Sequence, residues 1–149
     1  MRGKRALVTA GLVMAGVVGT AGQAAAVQWG PISSTLGSSN GTFFNEGNVY
    51  ARTNVNYKDN RPGGAPVYHQ TRYQYYQVTC GASGCVGAYT TGVTRQTSRT
   101  SSGSYVYAWT HYGLSSASDK ARGVQEICQD EAYTYDPCSD AKAYPSFTY

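Results

Sequence analysis

The stretch RYQYYQVTCGASGC, residues 72–85, decides how the rest of the chain is read. A run of tyrosine and glutamine over 73–77 leads through Val78 and Thr79 to a Gly-Ala-Ser-Gly tip that Cys80 and Cys85 flank. Alternation with period two marks a half-buried strand. Residues 86–96 answer residues 67–80 across the tip, so the stretch predicts a hairpin. Cysteines at such positions suit a covalent clip, a metal site or a redox pair, and the compartment separates these.

Residues 1–26, MRGKRALVTAGLVMAGVVGTAGQAAA, carry Arg2, Lys4 and Arg5, then an apolar run over 6–18, then Ala24-Ala25-Ala26. A basic start, an apolar run and small residues at the end form the pattern of a cleaved export signal. The run is shorter than the ~20 residues a membrane span needs. The expected product is secreted, begins near Val27 and has no membrane anchor after cleavage. The whole chain has 12 Lys and Arg against 8 Asp and Glu. Arg2, Lys4 and Arg5 leave with the signal, so the remainder is close to neutral. Its composition therefore gives no footprint for a nucleic-acid partner.

The remainder holds one domain's worth of chain. Its only leucines are Leu36 and Leu114, whereas all 14 tyrosines lie in it. Strand-favouring Thr, Val and Tyr abound and strong helix formers are scarce. The expected fold is all-β, a single small antiparallel β-sandwich or barrel with two local disulfides.

The expected organisation is a signal over 1–26, an N-terminal arm or first strand over 27–41, and the sandwich domain over 42–149. Asn40-Gly41 reads as a tight turn. In residues 48–58, Val49, Ala51, Thr53, Val55 and Tyr57 share one face, with Tyr50, Arg52, Asn54 and Asn56 on the other. Residues 59–66, DNRPGGAP, are turn chemistry. In residues 105–112, Tyr105, Tyr107, Trp109 and His111 point one way and Val106, Ala108, Thr110 and Tyr112 the other. Residues 121–129 form a further strand and residues 143–149 a short last one. Residues 114–120 are the one place for a helical turn.

Four cysteines in an exported chain favour disulfides, and three pairings are possible. Cys80 with Cys85 and Cys128 with Cys138 are the local ones. Zinc sites commonly space paired ligands two to four residues apart, which Cys128 and Cys138 do not satisfy. A redox pair usually encloses two residues beside a βαβ unit, and neither feature is present. Asp130, Glu131, Asp136 and Asp140 lack the ligand spacing of a calcium loop. No metal or other cofactor is expected.

Catalysis has few candidates. Ser83 in the Gly-Ala-Ser-Gly tip lacks the second-glycine spacing of a nucleophile elbow. A small exported ribonuclease needs a Glu or His base, a His acid and an Arg on phosphate, roles open to Glu126, His111, His69 and Arg72. No two of these share a local motif, so the chain is expected not to be an enzyme.

Tyrosine-rich surfaces give large contact area at low entropy cost, so they suit binding. The candidate partner contacts are Tyr73, Tyr75, Tyr105 and Tyr107, together with Val27, Trp29, Ile32 and Leu36 of the uncharged arm. The arm belongs either to the domain's own sheet or to a strand inserted into a partner. The turns over 59–66 and 81–84 are alternative loops for a protease cleft.

The run ARGVQEICQD over 121–130, followed by DPCS over 136–139, behind an export signal and a C-x4-C hairpin, resembles small secreted β-proteins of actinobacteria. In size and layout it is similar to the adaptor subunits of secreted umbrella toxin particles. That resemblance implies a non-enzymatic connector between a toxin-bearing chain and lectin-like subunits, and it assigns no contact residues. The expectation is a secreted protein-binding module, an adaptor or assembly subunit of an extracellular complex. A protease inhibitor or glycan-binding module is the alternative, and a ribonuclease comes last.

Overall fold

The computed structural model describes residues 25–132 and 134–149. Residues 1–24 of the expected export signal lie outside the described residues. Eight strands form: β1 (Val27–Ser33), β2 (Gly37–Glu46), β3 (Tyr50–Asp59), β4 (Val67–Gly81), β5 (Gly84–Gln96), β6 (Val106–Gly113), β7 (Lys120–Gln129) and β8 (Ser146–Thr148). They make two four-stranded sheets, ordered β1-β2-β3-β6 and β5-β4-β7-β8. Every pairing is antiparallel. The fold is an all-β sandwich rather than a closed barrel.

Alternation builds the core. Ala51, Thr53, Val55 and Tyr57 of β3 face inward, as do Val67, His69, Thr71, Tyr73 and Tyr75 of β4 and Ala121, Gln125 and Ile127 of β7. Phe43 of β2 and Phe147 of β8 fill the space between the sheets, with ring centroids 5.0 Å apart. Tyrosine stands where leucine is scarce, and its hydroxyl needs a partner once buried. The Tyr73 hydroxyl lies 2.8 Å from Thr110 Oγ1, and Tyr75 donates to the Gly113 carbonyl.

A polar chain also crosses the core. His69 Nε2 lies 2.8 Å from Gln125 Oε1, which accepts from Thr71 Oγ1 at 2.8 Å, while Gln125 Nε2 donates to Thr53 Oγ1 at 3.3 Å. Trp29 stacks on the His69 ring at 5.1 Å.

Three local expectations change. Asn40 and Gly41 are not a turn; both sit mid-strand in β2, opposite Asn56 and Val55. Glycine is required at 41 because a Cβ there would lie 2.0 Å from the Asn54 carbonyl oxygen and 2.9 Å from Trp29 Cζ2. The turn between β2 and β3 is Gly47-Asn48, both at positive φ, which matches the twist of a tight hairpin. Val49 lies just beyond it and is exposed instead of joining the inward face. Residues 114–120 hold turns and no helix.

Both local disulfides form, Cys80–Cys85 and Cys128–Cys138. Cys80 and Cys85 are paired neighbours at the tip of the β4–β5 hairpin. The second bridge ties the chain after β7 back along the edge of that strand, where Ala143 pairs with Gln125. Lys142 Nζ reaches the buried Glu126 carboxylate at 3.1 Å, and Arg72 Nε lies 3.3 Å from it on the other side.

Candidate binding surface

The outward face of the first sheet is built by the alternate residues of β2, β3 and β6. Registers place Asn54 between Thr42 and Trp109, Asn56 between Asn40 and Tyr107, and Arg52 between Phe44 and His111. The strands bring together a row of rings along β6 and a row of amides and one guanidinium along β3. Tyr107 is 60 % exposed, Trp109 49 % and Tyr105 48 %.

These side chains support one another. The Arg52 guanidinium lies 4.6 Å from the Trp109 ring centroid. Arg52 Nε donates to Asn54 Oδ1 at 3.0 Å, and its Nη1 pairs with the Glu46 carboxylate. Burial by itself lowers the Arg52 pKa, but the bond and charge of Glu46 outweigh it and hold the guanidinium above its ordinary value. His111 stacks on Tyr50 at 4.6 Å and meets Trp109 edge-on at 5.2 Å. Lys58 Nζ sits 5.2 Å from the Tyr105 ring. The result is an ordered, exposed aromatic face with one supported cation, suited to stacking.

The chain matches no protein-family model and no curated protein.

Of the residues expected to contact a partner, Tyr105 and Tyr107 stand on this exposed face. Trp29, Ile32, Tyr73 and Tyr75 do not: all four are buried in the core. The physical reason is the shortage of aliphatic side chains, which leaves aromatic rings to fill the space between the sheets. Val27 and Leu36 are half-buried. The arm over 27–41 supplies β1 and the first half of β2 in the domain's own sheet. Missing from the expected contacts were Trp109, Tyr50 and Arg52. The signal for them was present, because period two already put Trp109 on one face with Tyr107, and Tyr50 on one face with Arg52.

Of the residues open to a ribonuclease role, only Arg72 and Glu126 come together, as an ion pair, and neither histidine joins them. His69 is fully buried between the sheets, and burial takes its pKa down to about 4 despite the Gln125 hydrogen bond. Arg72 and Glu126 lie on the opposite side of the second sheet from His69, and His111 is on the outer face of the first. The acidic loop residues are engaged locally: Asp136 accepts from the Tyr68 hydroxyl at 2.8 Å and Asp130 pairs with Arg99 at 3.1 Å. Burial, then the Asp136 hydrogen bond, raises the Tyr68 pKa above its ordinary value. Among the described residues no group of three or more His, Cys, Asp or Glu is placed to hold a metal ion.

Proposed function

We propose that this protein is a secreted, non-enzymatic protein-binding module, an adaptor or assembly subunit of an extracellular complex, possessing its principal contact face on the outer side of the first sheet. The observation that carries this reading is the exposed row of Tyr105, Tyr107 and Trp109 backed by Tyr50 and Arg52. Trp, Tyr and Arg are the residue types that dominate binding energy at protein interfaces. Ring and guanidinium are held by stacking and by Glu46 before any partner arrives, which reduces the ordering cost of association. The two disulfides support the extracellular part of the reading, since such bonds persist in oxidising compartments. The likeness to umbrella-particle adaptors agrees with it and names the kind of assembly proposed.

Glycan binding is the second reading, favoured by the amides of Asn54 and Asn56, which flank the rings and suit sugar hydroxyls. Affinity purification of the tagged protein from culture supernatant separates these. A stoichiometric protein companion that is not a protease supports the adaptor. Capture of a protease at the 59–66 or 81–84 turns, retention on cell-wall polysaccharide, or cleavage of added RNA would each replace it.

A further inference from the structure

The sandwich has unequal edges. Natural sheets blunt their edges with charges, proline, bulges or short strands, because a row of unpaired backbone groups invites another chain. On β1 the edge carries Pro31, and pairing breaks between Trp29 and Ile32. On the far side of the second sheet β8 has 3 residues, and the disulfide-tied segment before it runs along β7. Of the two remaining edges, neither of which carries proline, aspartate, glutamate or lysine, β6 has 8 residues and β5 has 13; β5 is the longer, and Arg95 is its one charge. Its single irregularity falls opposite Tyr73 and Gln74, leaving Gly84 to Thr91 in unbroken register with β4.

β5 is also uncovered. Pairing between β4 and β7 stops at Tyr75, so beyond that point β4 has β5 as its strand neighbour and the two project as a ribbon. Residues 77–88 are exposed on both faces. A two-stranded ribbon is marginal by itself and gains from a third strand. Beside it, between β5 and β6, lies a trough of about 460 Å³ lined by Tyr75, Gln77, Thr90, Tyr112, Leu114 and Ser115. Arg95 faces the same side, its guanidinium 5.6 Å from the Tyr112 ring. Among the described residues no carboxylate lies within ion-pair distance of it.

We infer that the β5 edge accepts an extended segment of a second protein, with an acidic side chain meeting Arg95 and alternate side chains filling the trough. In strand addition, backbone bonds supply affinity and pockets for alternate residues supply specificity. The occupant is a different protein with an acidic extended segment: β5 itself holds no Asp or Glu, so the same strand of a second copy supplies no charge complement to Arg95. This inference goes beyond the aromatic face and does not depend on it. It gives the molecule a second docking side.

The test uses synthetic decapeptides of alternating Thr and Val that carry Asp, Ser or Lys near one end. The Asp peptide is expected to slow amide exchange across residues 84–94 and to bind about tenfold more tightly than the Lys peptide. Arg95→Glu reverses that preference, and Ala88→Lys, a charged block on an exposed strand position, abolishes binding while circular dichroism is unchanged. Trp109→Ala binds the peptide like the wild type, so failure of the aromatic face and failure of this edge are told apart. The inference is overturned if no peptide protects β5, if Arg95→Glu leaves the preference unchanged, or if the protein alone sediments as a dimer with β5 protected.

Discussion

His69 is held neutral between the sheets, donating from Nε2 to Gln125 with its Nδ1 unpartnered and the Trp29 ring stacked on it. Its pKa is about 4 in the folded protein against 6.5 for an ordinary histidine. Between those two values the unfolded chain binds a proton that the folded chain refuses. Stability is therefore full above pH 6.5, falls as the pH drops toward 4 and levels off below, with a total loss of about 3 kcal/mol from this group. Urea unfolding at a series of pH values reads this directly; a midpoint flat from pH 7 to pH 4.5 would contradict it. The histidine's burial was only half legible in the sequence. Period two placed it in a strand, but Gln125, Thr71 and Thr53 are scattered along the chain, and only their pairing across strands and sheets makes the interior tolerable to an imidazole.

At the scale of the element, glycine and cysteine carry the clearest consequences. Gly41→Ala forces a Cβ against the Asn54 carbonyl and Trp29, and overpacking of this kind costs roughly 1–3 kcal/mol. A conservative-looking change should lower the urea midpoint measurably. The two disulfides differ in what they hold. Opening Cys128–Cys138 by Ser substitution releases the segment along β7 and should cost about 2–3 kcal/mol. Opening Cys80–Cys85 frees only the exposed ribbon tip, so amide exchange there should quicken with little change in the global midpoint. β3, β4, β6 and both bridges followed from alternation and spacing, whereas β2 did not, because its Gly-Ser-Ser-Asn-Gly start shows no apolar alternation. The Gly47-Asn48 turn did not, since Asn40-Gly41 offers the same dipeptide chemistry and only the tertiary position of Trp29 distinguishes them.

For the whole molecule, an all-β domain with two local disulfides was legible in the sequence, and the structure adds which rings are core and which are surface. Aromatic residues serve both purposes here: Tyr73 and Tyr75 pack between the sheets while Tyr107 and Trp109 face solvent. Composition could not separate them, although strand phase could. The proposed adaptor role rests on the outward set. The most direct measurement is the affinity of the companion recovered from culture supernatant for wild type and for the Tyr107→Ala/Trp109→Ala double variant, with circular dichroism as the folding control. Removing two central aromatic anchors should weaken binding by at least about 3 kcal/mol, more than a hundredfold, in a variant that remains folded. A folded double variant that binds its companion with wild-type affinity would contradict the account.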